Sequence, residues 1–380
     1  MKKTKKVLLV NHFYFTKSGP VNGPANVICE YLKNHSVQYL FLNYPLILGS
    51  RSFFEKNDGK STIHKNFGLN INIPLPIKSL FEVINTIFFG FLYHADIYIA
   101  IDPLNALPGV FLKKLGLVKK TIFYSVDYTP TRFENVFLNA AYQKIDKFCA
   151  KFSDEVWNVS LRIVELRRRQ KVVESKIKFL PNTPNFTTCP RLPVSEINRN
   201  KIVMVMGSPH IPILPLVLES FKKVSKMYPK IILEVIGTGD YEGKLKEKVS
   251  KMGLSSKVKF LGQLNYEVLL SEVAKCGIGL ALYSYSKEHS WVYYGDSKKA
   301  RECLACGVPV IINDVVATSE DIKKYKAGLV VKLEVEDVFK AIEKILSNYN
   351  FWVKCRNNSI KLAKIYDFET LLDKLLNKLK

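Results

Sequence analysis

The sequence predicts an α/β chain of two domains, each built on a parallel sheet. With 380 residues it exceeds one ordinary domain and suits two of roughly 150–200 residues, each large enough to bury a core. Short apolar, β-branched runs alternate with amphipathic segments along the whole chain, which is the pattern of parallel strands covered by helices. One proline-rich stretch separates two such sets.

In the first set the strands fall at Lys6–Val10, Gln38–Asn43, Ile97–Ile101, Lys120–Val126, Glu155–Val159 and Lys176–Leu180, with a helix over Ala25–Leu32 after the first. VINTIFFGFLY, Val83 to Tyr93, is the most apolar segment, flanked by Glu82, His94 and Asp96. It is far short of the roughly 20 residues that span a bilayer, and it reads as a buried helix rather than a membrane-surface anchor. LRRRQK, Leu166 to Lys171, reads as a solvated helix end. PNTPNFTTCPRLPVSEINRN, Pro181 to Asn200, has four prolines and many small polar residues, and is the expected hinge.

In the second set the strands fall at Ile202–Gly207, Ile231–Ile236, Val258–Leu261, Ile278–Leu282, Val308–Ile312 and Leu329–Val331. Helical spacing marks Pro215–Met227 and Glu242–Met252. Phe351 to Lys380 reads as a final helix whose apolar face, Leu371, Leu372, Leu375, Leu376 and Leu379, needs a partner surface.

The charge is strongly positive: +23 overall, with 26 Lys and Arg against 13 Asp and Glu up to Pro190, and 31 against 21 after it. Both halves therefore favour an anionic partner, whether nucleic acid, an acidic membrane surface or a phosphorylated small molecule. The start MKKTKKVLLV reads as a first strand behind a charged tail, not a secretion signal. Seven cysteines, an odd number without a secretory segment, point to reduced thiols in a cytoplasmic protein. The pair Cys303-x-x-Cys306 has no second Cys or His pair nearby to complete a zinc site, and Leu304-Ala305 between them continues a helix. They read as packing residues.

Their neighbours carry chemistry. A helix starting near Asp296 and Ser297 offers free backbone N–H groups and a partial positive charge, and Lys298 and Lys299 add two full ones, which suits a diphosphate. Glu302, one turn on, is placed to accept from neutral hydroxyls such as those of a ribose. Gly307 ends the helix and Pro309 follows as a stop.

The block SKKARECLACGVPVI resembles the donor-nucleotide signature of the GT-B glycosyltransferases of the family 4 group, P-x-K-x-x-E-x-x-A-x-G-x-P-V. Lys299, Glu302, Ala305, Gly307, Pro309 and Val310 match in register, with Ser297 in place of the first proline. LEVIGTGDYEGKLKEKVSKMGLSSKVKFLGQL (Leu233–Leu264), FSDEVWNVS and FLPNTPN resemble further segments of that family. The resemblance implies two facing Rossmann-like domains: an acceptor-side domain over residues 1–190, a nucleotide-sugar domain over 200–355, and a C-terminal helix, 360–380, crossing back to the first. It also implies donor contacts from Gly207, Ser208, Gly237, Asp296, Ser297, Lys298, Lys299 and Glu302.

Two departures stand out. The family's hexose-contacting Glu, eight positions before Glu302, is replaced by Tyr294, leaving Asp296 as the carboxylate on offer. The family's Arg and Lys after the first strand of the second domain are replaced by Gly207, Ser208 and His210. On the acceptor side, SGPVNGPAN places Gly19 and Gly23 in the turn after the first strand, and FYSVDYTPTRF places Asp127 at a strand's carboxyl end with Arg132 close by. Asp127 is the catalytic candidate; His12 and Asp102, at the ends of their own strands, are further cleft candidates.

The expected function is transfer of a sugar from a nucleotide diphosphate sugar to a hydroxyl of a glycan or lipid-linked acceptor, with retention and without a metal, since no Asp-x-Asp stands ready to hold one. No cofactor beyond the donor, no nucleic acid, and a cytoplasmic place with peripheral contact to an anionic membrane complete the reading. The rival classes are a GT-B sugar-nucleotide epimerase, which needs more acid and base groups than the sequence names, and a non-catalytic basic protein binding polyanions or lipid, which would lose affinity steeply with salt.

Overall fold

The computed structural model describes residues 5–16, 19–21, 23–46, 51–67, 74–207, 212–239, 241–286 and 290–376. The chain divides into two compact units, Met1–Leu180 with Asp373–Lys380, and Pro181–Leu372.

The first unit runs β1 (Lys6–Thr16), β2 (Gly19–Val21), α1 (Ala25–Asn34), β3 (Gln38–Pro45), β4 (Ser52–Asn57), β5 (Thr62–Phe67), α2 (Leu75–Tyr93), β6 (Ile97–Ile101), α3 (Pro103–Lys114), β7 (Lys120–Ser125), α4 (Val136–Phe152), β8 (Glu155–Asn158), α5 (Leu161–Arg169) and β9 (Ile177–Phe179). Its sheet has the order β5-β4-β3-β1-β6-β7-β8-β9, parallel from β3 to β9. The hairpin β4–β5 adds an antiparallel edge, and β2 turns back on the end of β1. Central strands are apolar on both faces, as burial from two sides demands: Val7, Leu8, Leu9 and Val10 are fully buried. Asn135 and Ser160 start α4 and α5 by accepting backbone N–H bonds with their side chains.

The second unit runs β10 (Asn198–Val205), α6 (Leu214–Met227), β11 (Ile232–Ile236), α7 (Glu242–Lys251), β12 (Val258–Gly262), α8 (Tyr266–Ala274), β13 (Cys276–Ala281), α9 (Trp291–Tyr294), α10 (Lys298–Ala305), β14 (Val310–Asn313), α11 (Thr318–Tyr325), β15 (Gly328–Val331), α12 (Val335–Ser347), α13 (Tyr349–Ile365) and α14 (Phe368–Leu376). Its six parallel strands lie in the order β12-β11-β10-β13-β14-β15. That is the doubly wound order, with the reversal between β10 and β13 opening a crevice at the strands' carboxyl ends.

Three expectations change, and one element is new. The hairpin β4–β5 carries no alternating apolar pattern on its exposed strand and went unread. The final helix is two: Asp367 accepts from the N–H of Thr370 and of Phe186, stopping α13 and starting α14. From Asp373 onward the chain belongs with the first unit, where the Tyr31 hydroxyl donates to Asp373 at 2.6 Å. In LRRRQK, Arg168 and Arg169 are solvated, but Arg167 is wholly buried and paired bidentately with Asp146. The apolar segment expected inside is a helix with its apolar face outside: Phe88 is 57% and Leu92 59% exposed. Among the described residues no helix is long and apolar enough to cross a membrane. All seven cysteines are buried free thiols.

Candidate functional site

Two groups of polar side chains gather at strand carboxyl ends, one in each unit.

In the second unit Gly207 follows β10 and Gly237 follows β11. Gly237 has φ +121°, a conformation that favours glycine, and a Cβ there would press on the Met206 side chain at 3.2 Å. In the same unit α10 packs against β13 and β14. Ser297 is its N-cap, accepting from Ala300 N–H at 3.0 Å, and is itself fixed by the Tyr283 hydroxyl at 2.5 Å and by donation of its own N–H to Thr318 at 2.7 Å. Gly307, at φ +76°, closes the helix.

Glu302 is 4% exposed. Burial pushes its carboxyl up, opposed by Lys298, whose ammonium lies 3.8 Å away, by the Tyr266 hydroxyl, which donates to it, and by Lys299. Lys298 also rests over the Tyr266 ring at 4.9 Å. Lys299 differs. Desolvation lowers its ammonium to about 8, with only the charge of Glu302 opposing, and it forms no hydrogen bond or ion pair within 4.0 Å among the described residues. A cation held in that state gains from an arriving anion.

Asp296 is enclosed. Its carboxylate is 1% exposed and fully engaged: Arg301 bonds it at 2.8 and 3.1 Å, the Thr318 hydroxyl at 2.7 Å, and Asn182 N–H at 2.8 Å. Arg301 continues to Asp321 at 2.5 Å. An acid so enclosed braces the entrance to α10 and leaves no oxygen for a sugar. Tyr294 ends α9, partly buried, with its ring edge-on to Tyr293. Ser208 and His210 lie outside the described residues.

In the first unit a cavity of about 630 Å³ lies among His12, Lys78, Glu82, Asp102, Arg132, Tyr142 and apolar neighbours. It sits where the sheet order places β1 beside β6, with α2 and α4 as walls. His12 Nε2 lies 3.1 Å from Glu82, and Nδ1 lies 2.9 Å from the Asn105 amide nitrogen and 3.9 Å from Asp102. Asn105 also donates to Ile101 O at 2.8 Å, which fixes its amide and makes Nδ1 the acceptor in neutral His12. Desolvation depresses the imidazole, but hydrogen bonds and charge from Asp102 and Glu82 outweigh it and raise His12 to about 9. Taking the second proton requires Asn105 to release Nδ1. Asp102 holds φ +76° and ψ 152°, a region that side chains rarely adopt, directly after β6.

Asp127 follows β7 outside the cavity wall, with a solvent-accessible side chain. Desolvation by neighbouring chain atoms and the charge of Asp102 raise it, to about 6 at most, against the pull of Arg132, since solvent still reaches this exposed residue. Gly19 pairs with Thr16 in the β1–β2 turn, and Gly23 has φ +56° before α1. Neither lines the cavity. Tyr266, Glu82 and Asn105 escaped sequence reasoning because each joins its site from a distant element; Glu82 was visible only as a charge beside an apolar run.

The comparisons agree with this architecture. Residues 198–362 match the family described as Glycosyl transferases group 1. An uncharacterized glycosyltransferase of Methanocaldococcus jannaschii is 23% identical over 238 residues, 58% of this chain and 54% of the relative, so the match spans about half the relative's length. Sucrose-phosphate synthase of Thermosynechococcus elongatus superposes with a TM-score of 0.69 at 14% identity over 99% of both chains. Anabaena HepE in complex with UDP-glucose gives 0.66 at 12% identity, again over 99% of both. Residues 198–362, which include the doubly wound sheet and the α10 signature, match the glycosyl transferases group 1 domain, and the chain has the GT-B fold.

Proposed function

We propose that this chain moves a sugar from a nucleoside diphosphate sugar, held by the second unit, to a hydroxyl of a glycan or lipid-linked acceptor held by the first. The observation that carries the reading is Lys299: an under-paired ammonium, lowered to about 8, beside the buried Glu302 at the crevice of the family's domain. A diphosphate supplies the missing counter-charge. Lys298, Lys299 and the N–H groups opening α10 then stabilise the charge that develops on the departing nucleoside diphosphate, which is the electrostatic task of this reaction and needs no metal in this scheme. Glu302 accepts from the ribose hydroxyls.

In the first unit Asp127, ionised above about 6, orients or deprotonates the acceptor hydroxyl, while the cavity around His12 and Glu82 receives the acceptor's polar part. Retention at the anomeric carbon follows from the resemblance. HepE is in complex with UDP-glucose, so UDP-sugars are the first donors to try.

Thermal-shift measurements against UDP-, GDP-, ADP- and dTDP-sugars test this. One nucleotide class should raise the melting temperature, and Glu302→Ala should remove most of that shift. No shift with any of them, in a chain that melts cooperatively, would remove the transferase reading.

A further inference from the structure

Helix α2 is built inside out. Lys78, Glu82 and Thr86 face inward: Lys78 bonds Pro45 O and lies 3.8 Å from Glu82, Glu82 reaches His12, and Thr86 bonds the Tyr44 hydroxyl at 2.8 Å. The outward stripe is Leu80, Phe81, Ile84, Phe88, Phe91 and Leu92, at helical spacing and between 53% and 60% exposed. Six side chains of roughly 200 Å² each, exposed to that degree, present on the order of 700 Å², above the roughly 300–600 Å² of the largest patch on an ordinary monomer.

The rim is basic. The hairpin β4–β5 packs on α2 through Phe54 and Phe67 against Phe89, at 6.0 and 5.1 Å, and exposes Arg51, Lys56 and Lys65. Of its two acids, Glu55 accepts from the Tyr39 hydroxyl and Asp58 from the turn's own N–H groups, so three cations face two carboxylates. On the other flank α3 packs on α2 where Leu112 meets Gly90 and exposes Phe111 and Leu115, while its Lys114 turns toward α4, over the Phe148 and Phe152 rings.

We propose that this face docks on an anionic lipid bilayer, with α2 lying in the headgroup–acyl boundary and the flanking cations on the headgroups. An apolar stripe with a net basic rim matches that surface. A second copy of the chain would bring two basic rims together. The inference deepens the lipid-linked half of the proposed function: α2 forms one wall of the 630 Å³ cavity with Lys78 and Glu82, so an acceptor can leave its tail in the bilayer while its polar head reaches His12.

Vesicle flotation of the full chain without donor or acceptor tests the docking. At about 0.1 M salt the protein should float with vesicles of phosphatidylcholine holding about 30% phosphatidylglycerol, and tenfold less with phosphatidylcholine alone. Phe88→Asp should cut the bound fraction about tenfold while keeping its nucleotide-induced thermal shift. Phe88→Trp should still bind, and its added emission should shift to the blue only when vesicles are present. Equal flotation of Phe88→Asp and wild type overturns the proposal, as does no flotation of the wild type. Emission from Phe88→Trp that is already blue without vesicles, in a dimer that Phe81→Asp dissociates, overturns it in favour of self-association. The nucleotide thermal shift is read separately, so failure here leaves the transferase reading standing and the reverse holds too.

Discussion

Replacing Lys299 by Met removes a cation that the fold holds at a cost. Burial takes its ammonium from 10.5 to about 8. At about 1.4 kcal/mol per unit this amounts to about 3 kcal/mol, reduced to about 1–2 kcal/mol by the solvent the half-buried side chain still meets. The folded pKa lies below the unfolded one, so between about 8 and 10.5 the unfolded chain binds the extra proton. Wild-type stability therefore rises with pH across that window, and the penalty is fully present below pH 8. At pH 7 the ligand-free Lys299→Met protein should melt a few degrees higher than wild type, with the gap closing above about pH 10.

Ligand binding should move the other way. Loss of a charge-assisted contact of about 1.5–3 kcal/mol weakens UDP binding by about 10–100-fold. In the wild type the charged fraction of Lys299 drops about tenfold between pH 7 and 9, and UDP affinity should drop with it. Titration calorimetry in two buffers of different ionisation heat should count nearly one proton taken up per UDP at pH 9 in the wild type, and none from this group in Lys299→Met. A variant that melts lower and binds UDP as wild type does would refute the reasoning, since Lys299 would then be a structural cation.

Arg301→Met strands Asp296 and Asp321 without their cation and should cost about 3–5 kcal/mol, read as a lower melting temperature by calorimetry. Asp127→Asn should abolish the acid limb of the kcat/KM profile: wild-type activity falls as pH drops through about 6, and the variant is low and flat. Glu82→Gln removes one of the two carboxylates that raise His12, so the His12 NMR titration should move down from about 9 by at least a unit, while nucleotide binding is unchanged.

The second unit was legible because its signature is local. From Lys298 to Val310 the helix, its cap, its stop and the next strand follow one another in sequence, and Lys299 and Glu302 lie one turn apart on α10 whatever surrounds them. Alternation of apolar and amphipathic runs marked all six strands of that sheet to within a few residues, most clearly β13 and β14, which are buried throughout and apolar on both faces. The role expected of Asp296 failed for the opposite reason. Nothing near it in sequence shows that Thr318 and Asn182 N–H will close around it together with Arg301.

The sequence by itself determined the α/β class, the two halves and the α10 motif, since these rest on short-range periodicity, capping and helix geometry. Only the tertiary structure decided the state of the charges and the direction of the apolar faces. Tyr266 comes to Glu302 from α8, and Glu82 and Asn105 reach His12 from two helices, contacts whose partners lie 36, 70 and 93 residues apart. The apolar run of α2 shows the same division: composition made it a helix, but packing of Lys78, Glu82 and Thr86 inward turned its phenylalanines to the outside. Hydrophobicity records what a side chain prefers, whereas the polar contacts available on each face fix which way a helix turns.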